Sequence, residues 1–243
     1  MLLDPSSAKT FDAVLVAASL NGLKAQLARP VHQKLPITVD HLQKFFSLLE
    51  LSDAKHLACW CAMLLAFFGC FRLSNLVPAS KATFDPLKHL CRDDIKFEGK
   101  LVLVYYKWSK TNQNSDKVSW IPLCSSSDRR FDIQCYLKKL FTIVKVPNSS
   151  PVFTYQKNEF LTKCLLSRLL DQCTFKAGLP VSEYSRHSFR RWAAVFAFEL
   201  GLDESAVQLL GDWSSSAFKH YLEFAFVRKV EIAKKFQKVL IKL

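Results

Sequence analysis

The segment Arg186-His187-Ser188-Phe189-Arg190-Arg191-Trp192 sets a histidine and an arginine three residues apart, in a stretch whose periodicity predicts a helix over 185–200. At that spacing both side chains share one helix face and can address a single phosphate near the helix start. Phe189, Trp192 and Phe196 are expected to point to the core. Alone the pair is a weak signal, because a histidine satisfied within the fold is commoner than a catalytic one.

Three more segments extend the pattern in both directions. Downstream, Leu209-Leu210-Gly211-Asp212-Trp213-Ser214-Ser215-Ser216-Ala217-Phe218-Lys219-His220-Tyr221 puts a tyrosine ten residues past a glycine, on a predicted helix after a serine-rich turn. Upstream, Gly69-Cys70-Phe71-Arg72-Leu73-Ser74-Asn75-Leu76 places Arg72 just beyond a buried helix. There the core can hold the guanidinium while its planar fork faces an oxyanion. Between them a polar turn carries Lys107, Lys110 and Lys117. A lysine on a flexible turn can reach into a groove and give a proton to a leaving oxygen. Each segment also has an ordinary reading: a surface arginine at a helix end, a solubilising turn, an aromatic in a core.

The rest of the chain is read as mainly α with one small antiparallel sheet. An amphipathic helix over 8–29 leads into a proline-bearing linker, Arg29 to Pro36. Thr38 caps a helix over Val39 to Leu51, and Asp53 opens an apolar helix over 54–68. Lys100 to Trp108 and Lys117 to Leu123, rich in Val, Ile, Tyr and Trp, form a hairpin around a long polar turn. Helices follow over 131–144, 157–177, 185–200, 203–210, 214–223 and 227–240, with breaks at Gly178-Leu179-Pro180 and Gly201.

Composition bounds the function. The 243 residues suit one full domain with a short appendage, and 20 Phe against 6 Gly and 9 Pro exclude disorder. The longest apolar run, Leu57 to Phe71, spans 15 residues, short of the roughly 20 a bilayer helix needs. The N-terminus has no basic-then-apolar signal pattern, so a soluble intracellular protein without membrane association is expected. The eight cysteines contain no C-x-x-C pair and read as buried free thiols of a reducing compartment, with no metal site. Thirty-four basic against 21 acidic residues give +13, with pI near 9.4. That excess favours a polyanionic partner such as nucleic acid.

As an ordered set, Arg72, the hairpin Lys110, His187 with Arg190, the tryptophan after Leu210-Gly211 and Tyr221 resemble the catalytic domain of the tyrosine recombinase (phage integrase) family. The turn Ser109-Lys110-Thr111-Asn112-Gln113 and Gly211-Asp212-Trp213-Ser214-Ser215 are most similar to the eukaryotic mobile-element members, DIRS-like and Crypton-like. The resemblance covers roughly Leu35 to Phe224. It implies the fold of that catalytic domain, with double-stranded DNA as partner and a dimer to tetramer on DNA. A nuclear location, no cofactor and no small-molecule ligand go with it. Tyr221 would be the nucleophile, Arg72 and Arg190 the phosphate clamp, Lys110 the acid for the leaving oxygen and His187 the aid to proton transfer. Trp213 would supply an indole N–H. A phenol with an ordinary pKa of about 10 needs cationic neighbours to attack, and these residues provide them.

Two positions depart from the family pattern: Asp212 directly follows Leu210-Gly211, and Asn75 stands where an acidic residue is usual. The implied organisation is residues 1–34 as an N-terminal helix and linker, the remnant of a core-binding domain. Residues 35–226 are the catalytic domain, and 227–243 a basic amphipathic helix. The alternative is a catalytically weakened or inactive DNA-binding module descended from such a recombinase.

Overall fold

Two caps legible in the sequence start the first helices of the computed structural model, which describes residues 34–107, 119–185 and 187–211 together with Val16. At the head of α1 (Val39–Leu48), Thr38 Oγ1 accepts from the His41 amide and His41 Nδ1 accepts from the Thr38 amide. At the head of α2 (Ala54–Phe68), Asp53 Oδ1 accepts from the amides of Lys55 and His56 at 2.7 and 2.9 Å. Each cap satisfies donors that a helix start leaves open. The described helices continue as α3 (Leu73–Leu76), α4 (Ile133–Ile143), α5 (Lys163–Lys176), α6 (His187–Glu199) and α7 (Glu204–Leu210).

Every residue of α2 from Leu57 to Phe67 is buried. A helix apolar on all sides must be covered on all sides. Here α4, α6 and the short strand β4 (Thr154–Gln156) pack against it. Trp60, fully buried, keeps its indole N–H satisfied by donating to the Arg130 carbonyl at 3.1 Å.

Three antiparallel strands form the main sheet, in the order β1 (Ile95–Glu98), β2 (Leu101–Tyr106), β3 (Ser119–Cys124). The β2–β3 hairpin was expected, and its register runs from Leu101↔Cys124 to Tyr106↔Ser119. Strand β1 was not expected. Four residues are too few to show an alternation by themselves, and the strand is defined by pairing Ile95↔Val104 through Glu98↔Leu101 around Gly99, at φ +58°. Ile95, Val102, Val104 and Leu123 are the buried face.

Several boundaries differ from expectation. The helix predicted over 157–177 begins only at Lys163, because Thr154–Gln156 and β5 (Glu159–Phe160) form a second small hairpin turned at Asn158, φ +63°. Thr162 then caps α5 through the Leu165 amide. Helix α1 stops at Leu48 rather than Leu51, since Leu49 is extended and the Glu50 amide donates to His56 Nδ1. Asp132 starts α4 two residues later than predicted, after a 3-10 turn at Arg129–Phe131. The helices predicted over 8–29, 214–223 and 227–240 lie outside the described residues, Val16 apart.

All eight cysteines are free, but only five are buried; Cys124, Cys135 and Cys164 are exposed, which corrects the expectation of a uniformly buried set. They fall on the solvent-facing sides of β3, α4 and α5, which a count of apolar neighbours along the chain does not reveal. Burial pushes the Cys70 thiol up to about 12 and those of Cys91 and Cys173 to about 11. Iodoacetamide at pH 8 should therefore label three cysteines of the native protein quickly and the other five only on unfolding, as read by intact mass. A Cβ on Gly69 would meet the buried Phe71 ring at 2.4 and 2.6 Å and the Leu65 carbonyl at 2.9 Å. Gly69→Ala should accordingly lower unfolding stability by about 1–3 kcal/mol in urea titration.

Candidate functional site

At the end of α2 the chain breaks out of the helix within two residues. The Gly69 amide closes the helix on Leu65 O at 3.0 Å, and Cys70 follows in the left-handed region at φ +52°. Phe71 is again core. Arg72 is the residue that starts the single turn α3, with extended backbone and its carbonyl accepting from the Asn75 amide at 2.8 Å. Its side chain is half-buried, and among the described residues its guanidinium has no hydrogen bond or ion pair. The core thus fixes the root of this arginine and leaves its head available.

Helix α6 brings a second arginine to the end of α2. Ser185 Oγ accepts from the His187 amide, and Ser188 Oγ accepts from the Ser185 amide, so the predicted start is held by two serines. His187 is exposed in the first turn. Arg190, three residues on, is only 5% exposed and turns inward. Its Nη1 donates to the Cys70 carbonyl, and its Nη2 donates to the Gly211 carbonyl at 2.8 Å. One guanidinium therefore joins the backbone just after α2, the start of α6 and the end of α7. Arg191 is also buried and donates to the Lys34 carbonyl. Together with Leu35 N–H on Glu183 O and Ile37 N–H on Ser188 O, this ties the residues before α1 to the start of α6.

The hairpin lysines divide. Lys107, at the end of β2, is held: Nζ lies 2.7 Å from Asp94 Oδ2 and donates to Pro86 O at 2.8 Å. Asp94 is 4% exposed and also accepts from the Cys91 amide at 2.6 Å. Its charge answered by Asp94, Lys107 anchors the root of the hairpin and is not a free proton donor. Lys110, Trp213 and Tyr221 lie outside the described residues, as do Lys117 and Asp212. Of the six residues picked from sequence, Arg190 is held on the Cys70 carbonyl, two residues before Arg72 in the chain, and His187 stands one helical turn from Arg190.

Sequence reading missed Cys70, whose carbonyl is the hinge of the cluster, and the Asp94 anchor. It also missed Arg92, a 6%-exposed arginine donating to Val144 O and Thr154 O with its guanidinium 4.6 Å above the Phe141 ring. Burial lowers its pKa. None carries a local signal, since each is defined by a partner distant in sequence. A cleft of about 410 Å³ lined by Lys163, Ser167, Asp171, Tyr184 and Ser185, among others, contains none of Arg72, His187 or Arg190. Among the described residues no three His, Cys, Asp or Glu are grouped to hold a metal ion. No helix among them is long and apolar enough to cross a membrane.

Comparison with solved structures decides the fold. The chain superposes on the XerH site-specific recombinase in its post-cleavage complex with palindromic difH substrate, at TM-score 0.60 and 19% identity, over 84% of this chain and 54% of that one. The fold is that of a tyrosine recombinase catalytic domain. XerA recombinase gives TM-score 0.60 at 13% identity, covering 88% of this chain and 67% of that one. The Tn1549 transposon integrase, in complex with circular intermediate DNA, gives 0.56 at 13% identity, covering 94% and 77%. The chain thus spans about half the length of the XerH protein. No protein-family model and no curated protein sequence matches it.

Because the Asp94 carboxylate is buried, removing its cation leaves a desolvated charge. Lys107→Met should cost about 1–3 kcal/mol in thermal or urea unfolding. Lys88→Met, which removes an exposed partner of Asp85, should change stability by less than about 0.5 kcal/mol.

Proposed function

We propose that the chain acts on double-stranded DNA as a site-specific recombinase or integrase, breaking and rejoining strands through a 3′-phosphotyrosyl intermediate. The observation that carries this reading is the guanidinium of Arg190 seated on the Cys70 carbonyl, two residues from Arg72. Two arginines 118 residues apart in sequence are thus linked through the backbone of Cys70, which supports their acting on one phosphate. A net charge of +13 and a fold shared with structures of DNA-bound recombinases and integrases support the same partner.

In this reading the Tyr221 hydroxyl oxygen attacks the scissile phosphorus as the bond to the 5′ oxygen breaks. The phenolic proton leaves by way of His187, and Lys110 donates a proton to the 5′ oxygen, so a 3′-phosphotyrosyl link and a free 5′-hydroxyl result. Arg72 and Arg190 hold the non-bridging oxygens as negative charge builds on them, and Trp213 adds an indole N–H. Attack by the 5′-hydroxyl of a partner strand reverses the step, so the phosphodiester energy is retained. The protein works as a dimer to tetramer on DNA, in the nucleus, and is of the mobile-element type similar to the DIRS-like and Crypton-like recombinases. Residues 35–226 are its catalytic domain, 1–34 the end of a core-binding domain and 227–243 a basic helix.

One feature favours a second reading, a DNA-binding module without turnover: Asp212 follows Leu210-Gly211 directly and would place a carboxylate where a donor to the phosphate belongs. A nicked suicide duplex separates the two. The recombinase forms an adduct visible on a denaturing gel, Tyr221→Phe abolishes it while leaving binding within about twofold, and Arg190→Ala slows it about 10²–10³-fold. Tight binding with no adduct from the unaltered chain identifies the module. In both cases affinity falls steeply with salt, because phosphate contacts release counterions; a flat salt response excludes both.

A further inference from the structure

We propose that Cys70 is a positioning residue, whose left-handed backbone fixes the seat of the Arg190 guanidinium and the root of Arg72 together; this rests on the recombinase reading above. Two described non-glycine residues have positive φ, Cys70 and Asn158. Asn158 turns a tight hairpin, where that conformation is ordinary for asparagine. Cys70 lies in no hairpin and is fully buried. A strained backbone persists only where its surroundings over-determine it.

Those surroundings are identifiable. Phe71 on one side is core, and Gly69 on the other packs against that ring with no room for even a Cβ, so the backbone on both sides of Cys70 is enclosed. The Cys70 side chain packs with Ala193, Ala194, Ala197 and Val207, seating it against α6 and α7. In this conformation its carbonyl receives Arg190 Nη1, and the chain continues through the buried Phe71 to the extended backbone of Arg72. Returning Cys70 to negative φ would swing the carbonyl off Arg190 and redirect the root of Arg72 together. Cysteine meets both needs of the position: it is small enough for left-handed backbone within a crowded core, and its thiol fills the space beside the three alanines.

If Cys70 acted only as a helix terminator, altering it would lower stability without touching how the site handles phosphate charge. The two roles separate on paired substrates: the suicide duplex with its natural scissile phosphodiester, and the same duplex with a methylphosphonate there. A methylphosphonate has a methyl in place of one non-bridging oxygen and no charge, so there is little for the arginines to neutralise. Cys70→Val, whose branched side chain resists positive φ, is expected to form adduct at least tenfold more slowly than the parent chain on the phosphodiester. On the methylphosphonate its deficit, relative to the parent chain, should shrink to less than threefold. Cys70→Gly, free to adopt the left-handed region, should stay within threefold on both substrates. Should the valine variant not fold, Cys70→Thr, also branched and nearer cysteine in size, replaces it. An equal deficit on both substrates, or a glycine variant as slow as the valine one, overturns the proposal. Absence of adduct from the parent chain on both substrates would instead remove the recombinase reading, and this role with it.

Discussion

The structure depends on one constraint: a helix with no polar face has to be enclosed. Helix α2 is buried over its whole middle, so α4, α6 and β4 are drawn around it. Its end is therefore also a fixed point in the interior. The chain has to leave the core within a few residues, and it does so through a glycine with no room for a side chain, a left-handed cysteine and a buried phenylalanine. Arg72 is the first residue to reach solvent after that exit. Its placement follows from the packing of α2, which explains how a long, flexible side chain comes to have a rigid root.

The arginines buried around the core do different work from the lysine beside it. Arg190, Arg191 and Arg92 all donate to main-chain carbonyls, joining segments that no secondary structure connects. A guanidinium suits this, because it presents several donors in a planar fork and keeps its proton even where burial lowers its pKa. Lys107 instead meets a carboxylate, Asp94, and its charge is locally answered. An ammonium paired in this way anchors a strand end; an arginine seated on carbonyls can organise a site. The role of Lys107 as a fastener and that of Arg190 as a link between segments both follow from the chemistry of their partners.

Features that depend on neighbours in sequence were legible without coordinates. The caps Thr38 and Asp53, the apolar α2, the β2–β3 hairpin and the helical run from α4 onward all arise from side chains acting within a few residues, so periodicity and capping chemistry report them. The order of Arg72, the hairpin lysines, His187 and Arg190 was likewise visible, and the fold it implied is the one observed. What only the tertiary structure decided involves partners far apart. Strand β1 exists because β2 pairs with it, and the β4–β5 hairpin displaced a helical start that composition alone favoured. The pairing of Arg190 with the Cys70 carbonyl spans 120 residues, and Lys107 finds Asp94 across a sheet. A backbone carbonyl has no sequence signature, and a left-handed cysteine resembles any other in the sequence. Local side-chain chemistry determined which residues were candidates; enclosure of the core determined where the described ones sit and which backbone groups hold them.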